Sequence, residues 1–207
     1  MTVASAFDLQ RVQRIRKWAV GLSLLAILTL ALFTTTLWGE GVFHEGVESL
    51  GLALMVIAIV GRAWCSLYIG GRKKAEIVDT GPYSISRNPL YLFSYIGAFG
   101  VGAQTGSVSM GLLFLAVTMT VFHFTVAREE AWLLNAFGEP YEAYMRRTPR
   151  FGPDFSKWKE EPVLQVRPQF FLETIRDGLV LLLAIPVFEA IEKLQEMGVL
   201  RTLLHLP

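Results

Sequence analysis

Cysteine is almost absent from this chain of 207 residues. The single thiol, Cys65, sits inside an apolar stretch, so no disulfide framework, CxxC redox pair or cysteine-based zinc site can form within one chain. Histidine is nearly as scarce: His44, His123 and His205 are scattered, show no HExxH or similar spacing, and give no expectation of a bound metal. An excess of charge of either sign is also missing. Nineteen basic residues face eighteen acidic ones, a net charge of +1, which removes the concentrated basic surface that nucleic acid would need. No strand leads into a glycine-rich turn, so a soluble dinucleotide-type fold is excluded, and no internal repeat is present.

Hydrophobic length is what the chain has in abundance. Hydrophobic residues make up 53% of it, above the soluble norm, and this points to an integral membrane protein. A bilayer core of ~30 Å takes about 20 mostly apolar helical residues, and the stretch from Trp18 to Trp38 meets that with a tryptophan at each end. Arg11, Arg14, Arg16 and Lys17 precede it as in a signal peptide, but the apolar part is too long and no small-residue cleavage site follows, so an uncleaved first helix is expected. Further spans run from Val47 to Ile69, Leu90 to Ala103 and Val108 to Ala127. The last two are joined only by "QTGS", which forces a tight antiparallel hairpin in which Gly97, Gly100, Gly102 and Gly106 let backbones come close.

Basic residues favour the cytoplasmic side. They fall before the first span, then at Arg72, Lys73, Lys74 and Arg87, then at Arg128, Arg146, Arg147 and Arg150, with none in "GEGVFHEG" or "QTGS". The alternation places the N-terminus, the loop around residues 70–89 and everything from Arg128 onward in the cytoplasm. In the C-terminal part, "GLVLLLAIPVF" has about half the length of a spanning helix and charged flanks, so a helix over about 172–197 either crosses or lies on the bundle or the membrane surface. "PDFSKWKEEPVLQVRP" reads as a linker and Gly198 onward as a frayed end. The expected architecture is an all-α polytopic membrane bundle of four transmembrane helices with a cytoplasmic C-terminal cofactor-binding segment and a possible fifth helix. Its expected divisions are a basic segment at 1–17, a core at 18–153 and an extension at 154–207.

Two polar blocks fall at one membrane level. "GPYSISRNPLYL" puts Arg87 and Asn88 at the mouth of the third span with Pro89 in its first turn, where the missing N–H costs nothing. Free N–H groups there, the positive end of the helix dipole and Arg87 together suit an anionic group, although an interfacial anchor has the same composition. "REEAWLLNAFGEPYEAYMRRTPRFGP" begins as the fourth span leaves the lipid, and adjacent Glu129 and Glu130 so near hydrocarbon require cationic partners or a cavity. The helix then offers Leu133 and Phe137, stops around Gly138, and restarts to offer Tyr141 and Tyr144.

"GPY" at Gly81, Pro82 and Tyr83, "RNPLY" from Arg87 to Tyr91, the glutamate pair, "FG" at Phe137 and Gly138, Tyr141 with Tyr144, "PRFGP" from Pro149 to Pro153 and "GRAW" from Gly61 to Trp64 resemble the isoprenylcysteine carboxyl methyltransferase family and the related phospholipid methyltransferases. The resemblance covers about Arg62 to Pro153. It implies a membrane-embedded enzyme using S-adenosylmethionine, with Arg87 and Glu130 as catalytic residues and Gly81, Pro82, Tyr83, Asn88, Pro89, Tyr91, Glu129, Leu133, Phe137, Tyr141 and Tyr144 around the cofactor. Either glutamate would bind the ammonium group or position substrate and arginine. Asn88 stands where eukaryotic members have histidine and cannot act as a base at neutral pH. Phe93 stands where many have glycine and would narrow the substrate site. Arg62 would either snorkel to phosphates or face the cavity. The implied partners are the bilayer and a lipophilic or small methyl acceptor, with the site at the cytoplasmic face of what would be the inner membrane in a bacterium. A sterol-reductase-like enzyme using NADPH and a non-catalytic scaffold are the competing readings.

Overall fold

The computed structural model describes residues 18, 21–23, 25–39, 41–73 and 75–207. The basic segment at 1–17 and Lys74 lie outside them. The fold is mostly helical with little strand. Helix α1 runs Gly21–Ala31. It is followed by strand β1, Thr34–Thr36, and helices α2, Val42–Ile69, α3, Pro82–Ile85, α4, Pro89–Ala103, α5, Val108–Phe137, and α6, Glu139–Arg147. A 3-10 turn at Phe155–Lys157, helix α7, Pro168–Leu179, helix α8, Ala184–Glu196, and strand β2, Leu204–Leu206, complete the chain. Two helices, α2 and α5, are long and apolar enough to cross a membrane, whereas α4 is a shorter apolar helix of 15 residues.

The first apolar stretch stops being helical sooner than its hydropathy suggests. Three consecutive β-branched threonines follow it, and β1 pairs in parallel with β2, Thr34 opposite Leu204. The expected frayed end is therefore wrong: Ser107 Oγ donates to the Pro207 carbonyl at 2.7 Å, and Ser109 N–H donates to the same oxygen at 3.0 Å. As expected, α5 continues past Ala127 without a break, stops at Phe137 before Gly138, and carries both glutamates on its last turns.

Small residues set how closely α2, α4 and α5 approach. A Cβ on Gly100 would lie 2.6 Å from the Gly51 carbonyl of α2, and one on Gly102 would lie 2.6 Å from the Met110 carbonyl of α5. Gly97 likewise faces Ala58 of α2, so two of the four glycines serve the α2–α4 contact and not the α4–α5 hairpin. Gly100→Val is expected to lose about 1–3 kcal/mol through overpacking against backbone that cannot yield. Gly46→Ala, whose Cβ would meet nothing within 4 Å, is the matched control. Equal thermal midpoints for the two variants in detergent would refute this account of the packing.

The C-terminal helical run is longer than its apolar centre. Pro168 to Glu196 is continuous apart from a 3-10 turn at Val180–Leu183, placed where Pro186 withdraws the amide that a regular helix would use. The run is antiparallel to α2, packing on it through α7 and reaching it from α8 through Glu192. Phe170 packs at Gly70, Gly178 at Ile59, and Glu192 reaches His44. Phe188 and Ile191 join Ile27, Ala31, Met110 and Phe114 in the largest apolar cluster. The chain end therefore lies beside β1 and the start of α2, away from Gly70.

The segment read as a linker is tied down. Trp158 stacks on Trp64 with centroids 5.9 Å apart and planes 16° apart, and Lys159 exchanges backbone bonds with Gly81 and the Ser84 hydroxyl. Lys159 also pairs with Asp79 at 3.2 Å, a carboxylate shared with Arg147.

Candidate functional site

The two polar blocks meet. Arg87 N–H donates to the Pro149 carbonyl at 2.8 Å, Ser86 Oγ to the Phe151 carbonyl at 3.1 Å, and Asp154 N–H to the Ile85 carbonyl at 3.0 Å. These bonds lace the segment after α6 onto the loop that enters α4. Tyr144 completes the seam by donating its hydroxyl to the Tyr83 carbonyl at 2.7 Å. Tyr144→Phe would leave that buried carbonyl without a donor, and a loss of about 1–3 kcal/mol is expected in chemical or thermal unfolding. A variant as stable as the parent would remove the seam's structural role.

Glu130 occupies the centre of the junction and is 5% exposed. Its Oε1 accepts from Arg87 Nε and Asn88 Nδ2, each at 3.0 Å, and its Oε2 accepts from Arg150 Nε at 2.8 Å and Nη2 at 2.6 Å. Four donors on two oxygens leave little capacity for a ligand, and two guanidinium groups hold the carboxylate in its charged form. A role as catalytic base does not fit that environment. Its contacts tie the Arg87 and Arg150 guanidinium groups together.

Arg87 is anchored on three sides. Nε goes to Glu130 and Nη1 donates to the Met145 and Thr148 carbonyls, both at 2.8 Å, while Nη2 has no acceptor among the described residues. Asn88 is spent on Glu130 and on the Arg150 carbonyl at 3.2 Å. Glu129 has a different setting, accepting from Lys73 Nζ at 3.1 Å and from the Tyr91 hydroxyl at 3.0 Å.

These groups line one cavity of about 530 Å³. Of the residues singled out from the sequence, Arg62, Tyr83, Arg87, Asn88, Tyr91, Glu129, Glu130, Leu133, Tyr141 and Tyr144 are on its wall. Gly81, Pro82, Pro89, Phe93 and Phe137 are not. Gly81 has φ +56 and a Cβ there would collide with the Tyr68 ring at 2.2 Å, so it makes the turn into α3. Pro82 and Pro89 start α3 and α4 and are buried. Phe93 packs against Gly61, where a Cβ would come within 2.2 Å of its ring, so it fills the α2–α4 contact and does not narrow the site.

Lys73, Glu76, Ile77, Val78 and Phe122 belong to the wall and were not singled out from the sequence. Only the basic count marked Lys73, because nothing local announces a partner 56 residues away. Two residues of the wall each carry a buried polar atom without a partner among the described residues, Tyr83 Oη and Arg62 Nε. Burial raises the phenols of Tyr83, Tyr141 and Tyr144 above the ordinary tyrosine range, so all three stay neutral at physiological pH.

Residues 48–140 match the phospholipid methyltransferase family. Over 195 residues the chain is 34% identical to the nickel-cobalt-cadmium resistance protein NccN of Alcaligenes xylosoxydans xylosoxydans, covering 94% of this chain and 90% of that one. It is 33% identical to the cobalt-zinc-cadmium resistance protein CzcN of Cupriavidus metallidurans, with 93% and 88% covered. A third relative, the protein-S-isoprenylcysteine O-methyltransferase of Schizosaccharomyces pombe, is 32% identical over 107 residues, half of this chain and 45% of that enzyme. No solved structure matches. The matched region holds α2 to the start of α6, the elements that build most of the cavity, and with these relatives it shows that the chain belongs to the isoprenylcysteine carboxyl methyltransferase-like family of membrane phospholipid methyltransferases.

Proposed function

We propose that this methyltransferase uses S-adenosylmethionine and acts at the cytoplasmic membrane face on a lipophilic or small acceptor that presents a carboxylate, thiol or amine. One observation carries the reading. Arg87 with its uncommitted Nη2, Glu129 and three buried tyrosines share the wall of a single cavity set against apolar helices. The cofactor presents a carboxylate, an ammonium group and an aromatic base, and this wall has a fitting partner for each. Arg87 Nη2 would take the carboxylate, Glu129 the ammonium, and Tyr83, Tyr141, Tyr144 and Leu133 the adenosine. The orphaned Tyr83 hydroxyl supports the fit, since a buried polar atom without a protein partner calls for one from a ligand.

When bound, the cofactor supplies a methyl group already activated by the sulfonium charge. The chain's own contribution is then alignment and the exclusion of water. Lys73 and Tyr91 hold the Glu129 carboxylate in place for the ammonium group. A carboxylate or thiolate acceptor arrives ready to attack and needs no base. Arg62, on the same wall, orients such an anion.

Under this reading α1, α4 and the α7–α8 run cross the bilayer with α2 and α5. The basic residues at the cavity end, Arg72, Lys73, Arg87, Arg128, Arg146, Arg147 and Arg150, support a cytoplasmic location for that end. The names of the two long relatives offer a physiological setting, tolerance of nickel, cobalt, zinc or cadmium. Calorimetry on detergent-purified protein is the test: S-adenosylmethionine should bind and NADPH should not. Binding of NADPH in its place would favour the reductase reading, and binding of neither would leave a scaffold.

A further inference from the structure

At the end of the bundle away from the cavity, three metal-ligating side chains converge. His44 stands in the first turn of α2, Glu48 one turn further on, and Glu192 on α8. His44 Nε2 lies 3.2 Å from Glu48 Oε1 and 3.1 Å from Glu192 Oε1, and the three atoms all fall within 4.8 Å of one another. Around a tetrahedral ion with bonds of about 2.0–2.1 Å, neighbouring ligand atoms are roughly 3.3 Å apart. The spacing therefore already matches two edges of such a shell.

The histidine is fixed in place. It is 6% exposed, and it lies under Gly106, where φ is +64 and a Cβ would come within 2.0 Å of Nδ1. That Nδ1 is buried without a partner. Both carboxylate oxygens face Nε2. A dication at that point satisfies both oxygens and accepts the Nε2 lone pair. Access exists as well. Glu48 and Glu192 are about a third exposed, and a cavity of about 280 Å³ reaches His44 and Glu192 and is also lined by Thr35, Thr36, Gln195 and Glu196. It gives an ion a path and room for a water as a further ligand.

We propose that His44, Glu48 and Glu192 form a site for a divalent transition-metal ion of the Zn²⁺ or Co²⁺ class, clamping α8 to the start of α2. One imidazole nitrogen with carboxylate oxygens suits these borderline ions. Magnesium and calcium prefer all-oxygen shells, and copper(I) prefers sulfur. The site is separate from the methyl-transfer cavity, since His44 is about 27 Å along α2 from Arg62 at 1.5 Å per residue, and it does not depend on that function.

Cobalt titration of the full, tag-free protein in detergent tests it, with visible d–d absorption and elemental analysis as readouts. One cobalt per chain, displaced by zinc but not by excess magnesium, is expected, together with a higher thermal midpoint. Glu192→Gln should weaken binding by roughly tenfold or more, while melting like the parent when no metal is added. His44→Ala should abolish the absorption. Unchanged cobalt affinity in Glu192→Gln, displacement by magnesium, or no stoichiometric binding by the parent would each overturn the proposal.

Discussion

Glu130→Gln is expected to lose about 3–5 kcal/mol of stability, because it leaves two guanidinium groups beside a neutral amide in a largely buried place. Glutamine keeps the shape and one carbonyl oxygen, so the loss isolates the charge. Arg87 and Arg150 reach Glu130 at 3.0 and 2.6 Å, and Asn88 shares the first of its oxygens. Without the negative charge, the loop entering α4 and the segment after α6 are drawn together only by hydrogen bonds to backbone carbonyls, including those from Arg87 to Met145 and Thr148. Glu129→Gln provides the contrast, because its partners are the half-exposed Lys73 and the Tyr91 hydroxyl. That variant should melt close to the parent and lose cofactor binding or turnover. Should thermal unfolding in detergent show the opposite order, with Glu129→Gln the more damaging to stability, the division of labour between the two carboxylates is wrong.

Arg87→Ala carries the second large effect, and it acts at two levels. The variant leaves Glu130 with a single guanidinium partner and frees the Met145 and Thr148 carbonyls, so stability should fall by about 3 kcal/mol or more. It also removes Nη2 from the cavity wall, where a charge-assisted hydrogen bond to the cofactor carboxylate is expected to contribute about 1.5–3 kcal/mol, or roughly ten- to a hundredfold in affinity. Arg87→Lys separates the levels. Lysine retains the charge but lacks the planar fork that serves Glu130, two carbonyls and the cavity together. Its cofactor affinity should fall with a smaller shift in melting. Calorimetry at a temperature where both variants remain folded reads the binding level alone. Parent-like affinity in both variants would mean that Arg87 is a structural cross-brace only.

Much of the site was legible because its residue types are costly without a purpose. Adjacent glutamates on a helix leaving hydrocarbon require cations, and an arginine beside a helix-starting proline was the evident candidate. The pair did meet, as Arg87 and Glu130. The second cation was not legible as a partner. Arg150 lies 20 residues beyond Glu130, past the break at Gly138, so no helical spacing links the two. The same limit hid Lys73 and misplaced Phe93, because which face of α4 a side chain occupies depends on how that helix is rotated against α2. Gly61 supplies the gap that Phe93 fills, and no local pattern pairs those two positions.

By itself the sequence determined the apolar lengths of the long helices, the proline starts of α3 and α4, the glycine turns and the proximity of two polar blocks in one membrane layer. Each of these follows from periodicity, backbone restriction or the cost of charge near lipid, all of which act over a few neighbouring residues. The tertiary structure alone decided which oxygen of which glutamate each arginine takes, that the chain end returns as a strand beside Thr34, and that Glu192 arrives at His44. Those outcomes depend on helix rotation and on the register of α7 and α8 along α2. Rotation and register are set by how side chains from distant parts of the chain interlock, and no stretch of sequence contains that on its own.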